Sequence, residues 1–495
     1  MKSKSKGIFK GKIGADAKTQ DEATLAKLLK DHDDEGFVPF HMPGHKRNKN
    51  FEYLSGVQKM DITELEGFDN LHAPKDLLIE AQKRAAEFFC VKESRYLING
   101  ATGGILAAMR AMTKFGDGVL IARNCHKSVF NGVELCGLKP HYVMPAYFEE
   151  YGFYGSVMPE EVEKQLLLHT DIKLVVITSP TYEGVLSDIK SIAALCRKHN
   201  ALLLVDEAHG AHLGLCRSFE QSARNLGADV VVNSLHKTLP SLTQTAVLHI
   251  CSDRVSVGEI DRALSVFESS SPSYVLMSSI DECIRYLSSD GAKTLDRWAD
   301  MVDKFRRSTA RNKRIKLFNG DREGRVFAYD DTKLVFLTVE CALSGISFMR
   351  LLRKNYKIEL EMAAANYAVA MTGAGDDLNA FLALSGAVYE LETSVRERYG
   401  LVNINNVDIP QKVFEPYQIR GLNAVFAEFD ESAGYVAAEN VWAYPPGCPL
   451  ICKGEVITTE FLHHSLVLYQ SGIEVDSEQR AFPNKILVVA HDPSI

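Results

Sequence analysis

Two side chains in this sequence have the type and setting for one kind of chemistry. Lys237 lies in Val231-Val232-Asn233-Ser234-Leu235-His236-Lys237-Thr238-Leu239, an apolar run that ends in small polar residues, a histidine and a lysine. Upstream, Ala201-Leu202-Leu203-Leu204-Val205 runs into Asp206-Glu207-Ala208-His209. Both segments read as buried strands with their polar residues at the C-terminal ends. An amine and a carboxylate so placed are what a pyridoxal 5'-phosphate enzyme needs. The amine forms a Schiff base with the cofactor aldehyde. The carboxylate keeps the pyridine nitrogen protonated, so the ring accepts electrons from a substrate carbanion. Each feature alone has an ordinary explanation, since strands often end in Asp and lysines after strands are commonly solvated. The pair gains weight from what surrounds it.

Gly100-Ala101-Thr102-Gly103-Gly104 follows a short strand and opens a helix. Free amides at a helix N-terminus, with the Thr102 hydroxyl, make an anion site suited to a phosphate. Glycines also occur in strand-helix turns for steric reasons alone. Ser234 and His236 precede the lysine and are placed to donate to the same phosphate. His126, in Arg123-Asn124-Cys125-His126-Lys127-Ser128, offers a flat ring to stack on a flat cofactor; its plain alternative is a hydrogen-bonded surface histidine. Asp206-Glu207-Ala208-His209 also spells a helicase box, but that reading requires a G-x-x-x-x-G-K-[ST] loop. The nearest candidate, Gly7 to Lys12, has the wrong spacing. No H-E-x-x-H and no C-x-x-C is present, so no metal site is expected.

The elements that must hold these residues alternate between helix and strand. Helical periodicity covers Leu77 to Phe89 and Ile189 to His199, and a helix runs from Gly100 through Met112. Short apolar strands are expected at Tyr96–Ile98, Val119–Ile121, Tyr142–Met144, Leu174–Ile177 and Ala201–Val205. This pattern predicts an α/β fold with a mostly parallel sheet covered on both faces. Ligands on such sheets bind at the carboxyl ends of the strands, where every candidate residue lies. The expected organisation is an N-terminal arm over 1–60, a large cofactor-binding domain over 61–315 and a smaller C-terminal α+β domain over 316–495. A long charged helix near 290–315 is expected to join the two domains. Strands are expected at Leu334–Leu337 and Ile486–Val489, with a helix near Ile346–Leu352.

The 495 residues are 46% hydrophobic and 24% charged, an ordinary globular balance, and the net charge is -8. That leaves no basic footprint for nucleic acid or an anionic membrane. No stretch approaches ~18 consecutive apolar residues, and the basic N-terminus lacks the apolar core of a secretory signal. The ten cysteines are scattered. They read as reduced thiols of a cytoplasmic enzyme.

With these residues assembled, the chain resembles the fold-type-I pyridoxal phosphate enzymes. Within them it resembles the bacterial ornithine/lysine/arginine decarboxylase family, in a short form without the large N-terminal wing domain. The resemblance rests on Phe40-His41-Met42-Pro43-Gly44-His45, Asp61-Ile62-Thr63-Glu64, Asp69-Asn70-Leu71-His72 and Asn99 to Gly104. It continues through Asn124 to Ser128, Thr178-Ser179-Pro180-Thr181-Tyr182, Asp206 to His212, Ser234 to Leu239 and Ala443-Tyr444-Pro445-Pro446-Gly447. It implies that Lys237 carries the imine and Asp206 pairs with the pyridine nitrogen. His126 stacks on the ring, and Ala208 and His209 flank it. Ala101, Thr102, Gly103, Ser234 and His236 cradle the phosphate. It also implies a homodimer or larger assembly with sites between subunits. The loop from His41 to Arg47 is then expected to help close the site. Ala101, Leu235, Cys448 and Lys453 depart from the family's usual residues, which bears on cofactor affinity and substrate more than on fold.

The implied reaction is decarboxylation of arginine, lysine or ornithine, giving CO2 and a di- or polyamine precursor. The bond that breaks is the one held perpendicular to the ring. Catalysis is expected from Lys237, Asp206 and His126, with His209 a candidate proton donor. Aminotransfer, a lyase step and a non-catalytic cofactor-binding protein remain as alternatives at this stage. An aminotransferase often clamps the substrate carboxylate with an arginine, and Arg353 and Arg420 are the candidates. A cationic substrate needs a carboxylate or several carbonyls; Glu359 and Glu361 are candidates, although a solvated strand edge is their simpler explanation. Borohydride reduction followed by peptide mapping is expected to label Lys237; a label on any other lysine would refute the assignment.

Overall fold

A computed structural model describes residues 35–40, 46, 69–320, 323–397, 408–444 and 447–490. A short helical periodicity in the sequence around Leu25 to Leu29, the motif residues His41–His45 and Asp61–Glu64, and Pro445 and Pro446 lie outside the described residues.

Seven strands form the main sheet: Glu93–Leu97 (β1), Gly118–Ala122 (β2), Lys139–Val143 (β3), Ile172–Thr178 (β4), Leu202–Asp206 (β5), Val230–Ser234 (β6) and Ala246–Ile250 (β7). Their order across the sheet is β1-β7-β6-β5-β4-β2-β3. Strand β7 runs antiparallel to both neighbours, and every other pair is parallel. All residues of β2, β6 and β7 are buried. Burial on both faces explains why these segments read as unbroken apolar runs and not as alternating ones. The expected α/β class with its mostly parallel sheet is therefore observed.

Register sets the strand ends. Asp206, the last residue of β5, lies opposite Val232 of β6. Strand β6 ends at Ser234, and a single helical turn, Leu235–Thr238, then presents Lys237 beside the end of β5. Helix α1 (Gly100–Met112) packs against one face of the sheet. A Cβ on Gly104 would come within 2.4 Å of Leu97 and 3.2 Å of Val232, so this close approach requires glycine. The turn into α1 requires another, because Gly100 has φ +66°. Helix α2 (Lys127–Cys136) begins just beyond β2.

The other face is covered by Leu77–Phe88, Tyr274–Tyr286 and Ala292–Thr309. The last is the expected charged helix, shorter than 290–315 and entered through a π-turn at Leu287–Gly291. Trp298 on it is fully buried, so it is a core element as well as a connector. Four antiparallel strands follow: Lys316–Leu317 (β8), Lys333–Leu337 (β9), Met362–Ala363 (β10) and Tyr367–Met371 (β11), in the order β8-β9-β11-β10. Leu334, Phe336, Ala368 and Ala370 face the core shared with the large sheet. Val335, Leu337, Tyr367 and Val369 face a third core built with the C-terminal strands. This is strand alternation, with both faces apolar. Ile358–Leu360 pairs in parallel with Val38–Phe40 in a two-stranded sheet, so Glu359 lies on a strand with one edge paired.

The C-terminal segment pairs Ala424–Glu428 with Lys485–Val489, and sets Val441–Tyr444 between Cys448–Ile451 and Glu474–Ser477. It is clamped to the large sheet by a buried ion pair. Both guanidinium nitrogens of Arg123, just past β2, donate to the Glu455 carboxylate at 2.7 Å. Lys453 adds contacts to Glu134 of α2 at 2.7 Å and to Glu478 at 2.9 Å. No helix among the described residues is long and apolar enough to cross a membrane.

Replacing Glu455 by Gln strands the buried Arg123 charge. Losing one partner of a buried pair costs roughly 3–5 kcal/mol. Thermal or urea unfolding of Glu455→Gln should show that loss. The double variant Arg123→Met/Glu455→Met should recover most of it. Equal loss in both would refute the charge argument.

Candidate active site

The carboxyl ends of β2, β4, β5 and β6 open into a cavity of about 340 Å³. Its floor is made by Asp206, Ala208, His209 and Lys237. Gly100, Ala101, Thr102, Ser234 and His236 form one end, and His126 forms a side. Every residue expected at the cofactor lines this cavity except Gly103, which is the fourth residue of α1 and buried.

Lys237 Nζ lies 2.8 Å from His209 Nε2. Burial pulls the amine down to about 8; Asp206 and Glu361 oppose that shift, and Lys333 adds to it. Burial raises the Asp206 carboxyl above the ordinary range, while Lys237 and the Ala208 amide draw it back. That amide donates to Asp206 Oδ1 at 3.1 Å. Burial, then Lys237 and Lys333, holds the His209 imidazole neutral. Its ring leans on Tyr182, 4.4 Å between centroids. His209 Nδ1 and Asn124 Oδ1 are buried polar atoms without a hydrogen-bond partner.

His126 is not an idle surface histidine. It caps α2: its Nδ1 accepts from the Ser128 amide at 3.2 Å, which fixes the ring. Burial, with Lys237, brings its pKa down to about 4, so the imidazole facing the cavity is uncharged at neutral pH. His236 is fixed differently, because its Nδ1 donates to the Thr245 carbonyl at 2.9 Å. At the start of α1, the Gly100 and Gly103 amides are taken by the Gln244 and Asn99 carbonyls. The Ala101 and Thr102 amides lie between them at the cavity wall, as anion donors.

The two substrate candidates separate. Glu361 accepts a hydrogen bond from Tyr182, a cavity residue, and its charge is felt by Lys237. Glu359 pairs with Arg353 at 3.4 Å and is not in the cavity wall. Arg353 and Arg420 also lie outside the wall. Several wall residues carried no signal in the sequence. Glu183 stands next to a motif, but Tyr147, Tyr154, Tyr367, His464 and Leu468 belong to segments without one. Cys448, noted as a departure, lies in the wall with its Sγ 3.4 Å from the Asn124 carbonyl.

The cavity fits pyridoxal phosphate. It joins an anion-binding helix start to a buried carboxylate and to an amine of lowered basicity. The orphaned buried atoms of Asn124 and His209 are at hand for a polar ligand. Fold and site together define a fold-type-I pyridoxal phosphate enzyme. The profile of the Orn/Lys/Arg decarboxylase major domain matches residues 23–329. An arginine decarboxylase of Bacillus subtilis (strain 168) is 29% identical over 96% of this chain and 100% of its own length. An uncharacterized protein of the same organism, YaaO, is 31% identical over 94% of this chain and 98% of its own. The structure of an E. coli constitutive lysine decarboxylase superposes with a TM-score of 0.73 at 18% identity, covering 95% of this chain and 82% of that one. The chain belongs to the Orn/Lys/Arg decarboxylase family and is a pyridoxal phosphate-dependent amino acid decarboxylase.

The lowered basicity of Lys237 has a kinetic consequence. The amine attacks an aldehyde only when deprotonated. An ordinary lysine, at about 10.4, is almost wholly ammonium at pH 8. The apoenzyme should take up pyridoxal phosphate faster as pH rises, with a midpoint at about 8. Stopped-flow absorbance gives the profile. A midpoint above about 10 would show that the amine is solvated like a model lysine.

Proposed function

We propose that this enzyme removes CO2 from arginine, lysine or ornithine and releases the corresponding di- or polyamine precursor. The observation that carries the proposal is the pairing of Lys237 and Asp206 in a cavity whose outer wall is apolar, with Phe153, Leu450, Leu468 and Ile473 among its residues. Bound pyridoxal phosphate supplies the sink for the electron pair left when the carboxylate departs. The protein supplies the rest. Lys237 holds the cofactor covalently and yields to the substrate amine. Asp206 keeps a proton on the ring nitrogen by charge-assisted hydrogen bonding, worth roughly 1.5–3 kcal/mol. Ala101, Thr102, Ser234 and His236 hold the phosphate, with Gly103 supporting the helix start behind them. His126, its ring fixed by the cap on α2, would stack on the cofactor, and Ala208 and His209 would flank it.

We assign the returning proton to the Lys237–His209 pair, which are in hydrogen-bond contact beside the reacting end. The apolar wall solvates a carboxylate poorly, and loss of CO2 disperses that charge. Among the described residues no arginine lines the cavity. An aminotransferase clamp has no counterpart there, which favours decarboxylation over aminotransfer. Glu361 acts on the site through the Tyr182 hydroxyl, and Glu359 takes no part in the proposal.

We further infer a homodimer, with the arm over 1–60 closing the site, a large domain over 61–315 and a small domain over 316–495. The family resemblance supports the assembly. Ten unbridged cysteines accord with a reducing cytoplasm.

The test is a decarboxylation panel with the holoenzyme across arginine, lysine, ornithine and neutral amino acids. CO2 and an amine from one basic amino acid are expected. A keto acid product, or turnover confined to neutral substrates, would overturn the proposal.

A further inference from the structure

Glu183 is a carboxylic acid in the cavity wall with no cation to match it among the described residues. It follows Tyr182 in the turn between β4 and the short strand Val185–Leu186, and is 4% exposed. Its two oxygens accept from the Tyr367 hydroxyl at 2.8 Å and the Thr181 hydroxyl at 3.0 Å. Two donors suit an ionised carboxylate, but neutral hydroxyls do not balance its charge. Other buried acids near the site have a cation beside them: Asp206 has Lys237, Glu207 has Arg224, Asp330 has Lys333 and Asp376 has Lys46. No ion pair to Glu183 forms among the described residues, and burial raises its carboxyl above the ordinary range.

The position suits a missing ligand charge. Lys237 follows β6 and Glu183 follows β4, and these strands flank β5. Strands two apart lie roughly 10 Å from each other. A substrate whose α-amine engages the Lys237 end can direct an extended side chain toward the β4 side of the same cavity.

We propose that Glu183 selects the substrate's side chain, accepting from the distal ammonium or guanidinium of a basic amino acid. This deepens the decarboxylase reading above and rests on it. Tyr367 and Thr181 hold the two oxygens, so the acid is oriented before the substrate arrives. A neutral side chain of equal length leaves the carboxylate unbalanced and is rejected. A buried charge awaiting its partner costs the free protein stability, as functional sites often do.

Glu183→Gln keeps the shape and removes the charge. With enzyme saturated in pyridoxal phosphate, kcat and KM are measured for arginine, lysine and ornithine and for the uncharged analogues citrulline and norleucine. The kcat/KM preference for the basic amino acid over its uncharged analogue should fall about 10- to 150-fold, mainly through KM. That is the range of a charge-assisted hydrogen bond. The melting temperature should hold or rise. An unchanged preference in folded Glu183→Gln overturns the assignment and leaves the decarboxylase reading standing. A wild-type enzyme that decarboxylates none of the three basic amino acids overturns both. Should Glu183→Gln fail to fold, Tyr367→Phe gives a second measure. Losing that donor raises the Glu183 pKa, and the protonated acid no longer attracts a cation. The acidic limb of the kcat/KM profile for the basic substrate should therefore move to higher pH; a limb that stays in place refutes the role.

Discussion

Lys237, on the turn that follows β6, and Asp206, at the end of β5, meet in one buried cavity, and each sets the state of the other. Burial drives the lysine toward neutrality and the aspartate toward protonation; their mutual attraction opposes both shifts. Neither group can be removed from this balance without changing the other. The sheet exists around that constraint. The register that puts Asp206 opposite Val232 keeps the two strand ends level. Burial of both faces then denies the pair the water that would otherwise screen it.

A second buried network holds the first in place. Lys333 Nζ donates to the His209 carbonyl at 3.1 Å and to Asp330 at 2.9 Å. Asp330 also takes the Thr332 hydroxyl at 2.7 Å and lies 3.2 Å from His212 Nε2. Lys333 opens β9, so the four-stranded sheet is joined to the loop that carries His209. Charges buried this deeply are weak evidence for stability, because their desolvation offsets their attraction. They fix an orientation instead: the His209 backbone is held from behind while its ring meets Lys237 in front. The division of labour is completed where the chain leaves β5, within Asp206-Glu207-Ala208-His209. Asp206 turns into the cavity. Glu207 turns away, to Ser222 at 2.6 Å, the Ala223 amide at 2.7 Å and Asn233 at 3.0 Å.

Much of this was legible in the sequence because the large sheet is buried on both faces. Such strands announce themselves as apolar runs, and their polar ends then mark the site. The expected strands at Val119–Ile121 and Leu174–Ile177 are each extended by a residue or two in the structure. Strand β7, Ala246–Ile250, was not singled out, because His249 interrupts its apolar run; that histidine is buried against Ser94 at 2.9 Å. Helix Leu378–Ser394 was also missed. Leu378, Leu382 and Tyr389 are exposed on it, which blurs its amphipathic stripe. The phosphate cradle and the lysine were readable from spacing. The tyrosines and acids of the cavity wall were not, since they come from turns and from the C-terminal segment. No local periodicity says that such residues meet.

That difference follows the chemistry. The family profile spans 23–329 and contains Lys237, Asp206, His126 and the helix start proposed to receive the phosphate. Tyr367, Cys448, Leu450, His464, Leu468 and Ile473 lie beyond it, and all line the same cavity. The residues proposed to hold the cofactor thus sit at the ends of the mostly parallel sheet. The rest of the wall adds Tyr367 of the four-stranded sheet, Cys448 and Leu450 of the three-stranded one, and His464 and Leu468 of the helix Thr459–Gln470. Arg123 and Glu455 tie the two parts together three residues before His126. In this chain the wall places a buried acid, Glu183, between hydroxyls from both parts: Thr181 from the large sheet and Tyr367 from β11.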